Sequence, residues 1–174
     1  MKILITILTV CLVWVSAQST DNSSTAEKTI QVKDFTFVYK VDGPNLVASV
    51  SCPTSGWVAV GFNPSKMMKD ANFIMGYADP EGPVIVDEFG SGTYKHQPDT
   101  SIGGRNDIIN ADCVEENGVT TLSFTIPLNS GDSKDAVLQK DGKTRVIFAA
   151  GKDKDLKKKH NKTARTEIIL EDRN

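Results

Sequence analysis

The chain of 174 residues is poor in cysteine and histidine, with three of the first and two of the second. Two histidines are too few for the zinc hydrolases and copper oxygenases that need several imidazoles, and the cysteines are too few for a thiolate zinc site. No Cys-x-x-Cys-His segment occurs, which excludes covalent haem attachment. The net charge of -2 does not favour binding to nucleic acid.

Long hydrophobic runs are also scarce. The sequence has one, residues 3–15, which directly follows Lys2. It ends in Val15-Ser16-Ala17, small residues of the kind that signal peptidase cleaves. The run is too short to cross a bilayer as a stable helix. We therefore predict a signal peptide over residues 1–17, a secreted extracellular protein, and no membrane insertion after cleavage.

The remaining chain divides into a short leader and one domain. Residues 18–28 are polar and rich in Ser and Thr, so they have too little apolar surface to order themselves. We predict a flexible leader over residues 18–28. A single domain over residues 29–174 fits the remaining length.

Two cysteines stay after signal cleavage, since Cys11 lies in the signal peptide. In an oxidising environment a disulfide between Cys52 and Cys113 is the simplest expectation, and two buried unpaired thiols are the alternative. Asn22 and Asn161 fit the N-glycosylation pattern, so both are predicted acceptor sites.

Alternating apolar and polar residues dominate the rest of the sequence. Phe35, Phe37, Tyr39 and Val41 would share one strand face, and Asp42-Gly43-Pro44-Asn45 and Glu116-Asn117-Gly118 are turn signals. No long amphipathic helix is evident. The pattern predicts an all-β fold, an antiparallel, immunoglobulin-like β-sandwich of about ten strands.

One apolar strand, Gly56 to Phe62, leads into a loop that carries Met67 and Met68. A loop is an unusual position for an apolar thioether side chain, although methionine also fills gaps in irregular cores. A soft metal centre would explain it. Methionine and histidine together hold haem iron in many electron-transfer proteins.

These residues resemble the DOMON family, and the resemblance extends over nearly all of the mature chain. It includes the strand Gly56 to Phe62, the segment Met68-Lys69-Asp70-Ala71-Asn72, and the later segments Asp99 to Gly104 and Gly118 to Pro127. The family fold is an antiparallel β-sandwich. Its haem-binding branch, which includes the cytochrome domain of cellobiose dehydrogenases, holds a noncovalent haem b between a methionine and a histidine.

Carried over by position, the resemblance implies that Met68 and His160 are the axial ligands. Met67 is the neighbouring alternative, and His96, expected to be exposed, is the only other imidazole. Arg165 follows the histidine, and together with Lys159 and Lys162 it is a candidate partner for haem propionates. Trp57 and Phe62 are candidate contacts to a haem face, with ordinary core packing as the alternative.

The resemblance implies an electron-transfer module without catalytic residues of its own. It would exchange electrons with a partner dehydrogenase, reductase or membrane cytochrome. The alternative is a haem-free DOMON-type domain that binds a carbohydrate or another small ligand outside the cell. Lys157, Lys158 and Lys159 before His160 favour this alternative, because a ligating histidine normally lies in a partly dry pocket.

Overall fold

The computed structural model describes residues 26–171. The predicted signal peptide, most of the predicted leader and Asn22 lie outside these residues. Among residues 26–171, no helix has the length and apolarity needed to cross a membrane.

Within residues 26–171, eleven strands form almost all of the regular structure, together with one 3-10 turn at Asp99–Ile102. In chain order the strands are β1 Lys28–Val32, β2 Phe35–Asp42, β3 Asn45–Pro53, β4 Val58–Phe62, β5 Asn72–Tyr77, β6 Val84–Gly92, β7 Lys95–Pro98, β8 Asn110–Glu116, β9 Val119–Pro127, β10 Lys143–Ala150 and β11 Lys162–Ile169.

Two antiparallel sheets make up the fold. The five-stranded sheet has the order β1-β2-β3-β9-β8, and the six-stranded sheet has the order β11-β10-β4-β5-β6-β7. The chain crosses from one sheet to the other after β3, β7 and β9. The predicted all-β sandwich is confirmed, with β1 and β7 as strands that the alternation pattern did not reveal.

Both predicted hairpin turns are present. Asp42 pairs with Asn45 across Gly43-Pro44, and Glu116 pairs with Val119 across Asn117-Gly118. Asn117 and Gly118 have φ values of 53° and 79°, the left-handed conformation that a two-residue hairpin turn requires.

The core between the sheets is dominated by phenylalanine. Phe35 and Phe148 stack with ring centroids 5.5 Å apart, so the first long strand is joined to the opposite sheet. Phe37 contacts both Phe148 and Phe62. Each fully buried ring of this size stabilises the fold by about 1.5–3 kcal/mol relative to an exposed one.

The predicted disulfide between Cys52 and Cys113 is contradicted, because both are buried free thiols. Cys52 lies on β3 opposite Thr120, and Cys113 lies on β8 opposite Leu122, so β9 runs between them. Neighbouring strands are about 4.8 Å apart, which places these two strands about 10 Å apart. A disulfide needs Cα atoms closer than about 7 Å.

Candidate functional site

An apolar cluster covers the outer face of the six-stranded sheet, on the side away from the sandwich core. We call the following residues the outer-face cluster: Trp57, Ala59, Ala71, Phe73 and Met75. Side chains alternate along β4 and β5, so Val60 and Ile74 point into the core and their neighbours point to the outer face. Both faces of these two strands are buried. A strand apolar on both sides indicates that something covers the second face.

Two loops supply that cover. The β4–β5 loop contributes Met68, and the β10–β11 loop, residues 151–161, contributes Leu156; both side chains pack against the outer-face cluster. The two loops start at opposite ends of β4. The first follows Phe62, the last residue of β4, and the second follows Ala150, which pairs with Val58, the first residue of β4.

Met68, and not Met67, faces the outer-face cluster. Met67 has φ +56° and is 53% exposed, so its side chain points to solvent. Backbone hydrogen bonds fix Met68: its N–H donates to the carbonyl of Thr93 at 3.3 Å, and its carbonyl accepts from Ala71 at 3.2 Å. The loop thus holds a half-buried thioether against an apolar surface.

Gly90 allows the Met68 loop to approach β6. The N–H of Gly90 donates to Ala71, and its carbonyl accepts from Asp70 at 2.7 Å. A Cβ at Gly90 would overlap the carbonyl oxygen of Met68. Only glycine fits this close approach without moving the loop.

His160 is half-buried at the end of the β10–β11 loop. The next residue, Asn161, is exposed and donates its N–H to Ala150 at 2.9 Å, which begins the pairing of β10 with β11. No hydrogen bond holds the His160 imidazole within the part of the chain that the structure describes. Lys157, Lys158 and Lys159 before it are exposed.

His96 occupies a more ordered site than the sequence predicted. It lies on β7, its side chain is 25% exposed, and its Nδ1 is hydrogen-bonded to the Glu88 carboxylate. Its ring is 5.8 Å from that of Phe73 in the outer-face cluster. A carboxylate that orients an imidazole is a common feature around ligating histidines. The spacing Glu88 to His96 across a β6–β7 hairpin was the signal that could have revealed this pair.

The aromatic candidates separate onto the two faces of β4. Trp57 is in the outer-face cluster, 3% exposed, and its indole Nε1 is buried without a hydrogen-bond partner. Phe62 is fully buried between the sheets, where its ring contacts Phe37 and Phe124. The prediction that Phe62 contacts a cofactor on this site is therefore wrong, because side chains alternate along a strand and position 62 points into the core.

Arg165 lies on the outer face, at the rim of the cluster. It is exposed on β11 and pairs with Ile147, whose side chain packs on the outer-face cluster. Lys162 points elsewhere: its ammonium donates to the carbonyl of Pro53 at 2.8 Å and lies 3.7 Å from Asp34. Of these two cations, only Arg165 flanks the cluster.

The chemical character of this face suits a b-type haem. A thioether, the His96 imidazole, an apolar floor and a flanking cation are groups that such a cofactor uses, and His160 ends the loop to which Leu156 belongs. The floor itself is closed, since Ala59, Phe73 and Met75 are at most 5% exposed. A flat ligand must therefore displace the side chains that cover them, of which Met68 and Leu156 come from loops.

Comparisons with known proteins agree with the fold. The family model described as "DOMON domain" matches residues 31–151. A search of curated proteins gives no match.

The solved structures that are similar include two cytochrome domains. One is the cytochrome b domain of pyranose dehydrogenase from Coprinopsis cinerea, with 16% identity, a TM-score of 0.55, and coverage of 78% of this chain and 76% of that one. The other is the cytochrome domain of Myriococcum thermophilum cellobiose dehydrogenase, with 10% identity, a TM-score of 0.56, and coverage of 84% and 89%. Identities this low show a shared fold. The family match covers well over half of the sequence, and the chain therefore belongs to the DOMON family.

Proposed function

We propose that this DOMON domain binds haem b noncovalently and transfers electrons, with Met68 and His160 as the axial ligands. The observation that carries the proposal is the half-buried Met68 thioether held against the outer-face cluster. An exposed loop methionine without such a surface would resemble Met67, which points to solvent.

The remaining residues of this face have distinct roles in the proposal. His160 ends the β10–β11 loop, the same loop that contributes Leu156 to the cover of the outer-face cluster. Trp57 supplies apolar surface, and its unpartnered Nε1 is a donor for an acceptor on a ligand. Arg165 at the rim supplies the positive charge that an anionic propionate needs.

When bound, haem would supply a one-electron iron centre, and Met68 and His160 would hold it in place of a substrate. The domain would then act as an electron-transfer module and not as an enzyme. A secreted or membrane-bound partner, such as a dehydrogenase, a reductase or a membrane cytochrome, must supply the other half of the reaction. The two similar structures support this reading, since both are cytochrome domains of dehydrogenases.

The test is an absorption spectrum of the protein purified with haem available. We expect a Soret band and sharp reduced-state visible bands. Met68→Ala should abolish or shift these bands, whereas Met67→Ala, the matched control one residue away, should leave them unchanged. A spectrum identical to wild type in Met68→Ala contradicts the ligand assignment even if haem is bound.

The second ligand is tested by the two histidines. His160→Ala should change the reduced-state bands, and His96→Ala should leave the ligand set intact. The opposite pattern would assign the role to His96, whose imidazole is already oriented by Glu88.

A second function is favoured by the closed floor of the outer-face cluster. A haem-free DOMON domain that binds a carbohydrate or another small ligand needs no slot for a macrocycle. Colourless protein that also fails to take up added haem would support this function. A glycan array would then identify the ligand class.

A further inference from the structure

A group of acidic side chains lies away from the outer-face cluster, where β6 meets two loops. Asp87 on β6 pairs with Ile74, so it points to the inner side of the sheet. Asp99 begins the 3-10 turn, and Asp135 lies in the β9–β10 connection. Oxygen atoms of these three carboxylates all lie within 4.8 Å of one another.

Asp87 and Asp99 are buried, Asp135 is half-buried, and none of the three has a cationic partner among residues 26–171. Asp87 is 5% exposed and Asp99 is 1% exposed. Among residues 26–171, no lysine or arginine forms an ion pair with Asp87, Asp99 or Asp135. Burial, followed by repulsion between the neighbouring carboxylates, raises the pKa of Asp99 to about 8, and burial raises the pKa of Asp87 to about 7 and of Asp135 to about 6.

An amide provides an independent indication of a ligand. Asn72 is 6% exposed, and its Nδ2 donates to Asp135 Oδ1 at 2.8 Å. Its own Oδ1 is buried with no hydrogen-bond partner. Further unpartnered buried oxygens are Asp99 Oδ1 and Oδ2, Asp87 Oδ1 and Asp107 Oδ2. A buried oxygen without a hydrogen-bond partner is destabilising, so a set of five indicates a missing partner.

The donor set identifies the class of that partner. All candidate ligands are oxygen atoms, with neither histidine nor cysteine, which favours a hard cation over zinc or copper. Calcium binds oxygen at 2.3–2.6 Å, so two ligands on opposite sides of it are about 4.6–5.2 Å apart. The largest separation among the three carboxylates, 4.8 Å or less, fits this span.

We propose that Asp87, Asp99 and Asp135 bind one calcium ion. Asn72 Oδ1 supplies a neutral ligand beside them. Asp107, whose N–H donates to Asp87 Oδ2 at 3.0 Å, has a further carboxylate at the edge of the site. Backbone N–H groups, which would compete with a cation for carboxylate oxygens, contact only one of the three proposed acidic ligands.

Calcium at this position would join loops that are distant in sequence. Asp99 and Asp107 flank the segment 100–106, and Asp135 belongs to the loop 128–142. A neighbouring residue, Asp132, already connects these loops by accepting from the N–H of Arg105. Asn72 directly follows Ala71 of the outer-face cluster, so the proposed calcium site adjoins the end of the Met68 loop where β5 begins.

Calorimetry and thermal unfolding of the chelator-treated full-length protein test the site. We expect calcium chloride to bind with a stoichiometry of one and to raise the Tm, with a smaller rise for magnesium chloride at equal concentration. Absence of both heat and a Tm shift at millimolar calcium would overturn the proposal. An equal or larger response to magnesium would overturn the assignment to calcium.

Neutral substitutions locate the ligands. Asp99→Asn and Asp135→Asn should each weaken calcium binding at least tenfold, whereas Asp112→Asn, an exposed position on β8, should bind like wild type. If Asp99→Asn does not fold, the half-buried Asp135→Asn still decides the result. Wild-type affinity in Asp135→Asn would overturn the site.

Discussion

The outer faces of the two sheets differ in what they present. On the five-stranded sheet the outward side chains include Lys40, Ser49 and Ser51, and Ser51 is hydrogen-bonded to Thr121 at 2.9 Å. On the central strands β4 and β5 of the six-stranded sheet, the outward side chains of the outer-face cluster are apolar and nearly fully buried. The inner faces alone would form the core of a sandwich, so the outer-face cluster is a second, smaller core under the two loops.

The largest expected effect comes from placing one charge on each outer face. Ala59→Asp buries a carboxylate in the outer-face cluster, and we expect it to lower the free energy of unfolding by about 4 kcal/mol or more. Ser49→Asp, on the polar outer face, should change it by no more than about 0.5 kcal/mol. Denaturant unfolding followed by circular dichroism measures both. Equal effects would mean that the six-stranded sheet is open to solvent on this side.

An intermediate effect is expected from the contact between β6 and the Met68 loop. Gly90→Ala places a methyl group against the Met68 carbonyl, and we expect a loss of about 1–3 kcal/mol in the free energy of unfolding. Gly92→Ala is the matched control on the same strand, because its nearest neighbour would be Lys95 Cβ at 3.6 Å. A loss in the control as large as that in Gly90→Ala would show a strand effect and not a loop contact.

The smallest effect concerns the free thiols on the inner face of the five-stranded sheet. Burial raises the pKa of Cys52 to about 11 and of Cys113 to about 12, so little thiolate is present at pH 8. We expect no alkylation of Cys52 and Cys113 in the folded protein at pH 8 and alkylation of both after unfolding without reductant, measured by peptide mass spectrometry. Fewer than two after unfolding would show that a disulfide forms.

The sequence predicted most of the fold, and the reason lies in its alternation. Inward residues such as Phe37 and Leu122 recur every second position, and Asn117-Gly118 sets a hairpin register directly. β7 was missed because Lys95 to Pro98 is a short polar edge strand with no apolar period. Short edge strands carry little pattern, since only one side pairs.

The candidate site was less predictable, because it depends on contacts between distant residues. Met68 and the loop that ends in His160 were identified through family resemblance, and alternation along β4 alone would have assigned Phe62 to the core. The error over Cys52 and Cys113 arose because residue spacing does not show that β9 lies between their strands. The acidic group of Asp87, Asp99 and Asp135 spans three separate segments, which no local pattern connects.

The length of the β10–β11 connection has a practical consequence. Ala150 and Lys162 are paired neighbours, and two residues would suffice to join antiparallel strands, yet eleven lie between them. The extra length places Leu156 on the outer-face cluster and the Asp153 carbonyl against the Trp57 N–H. Replacing residues 151–161 by a two-residue turn would therefore expose apolar side chains of the six-stranded sheet to solvent.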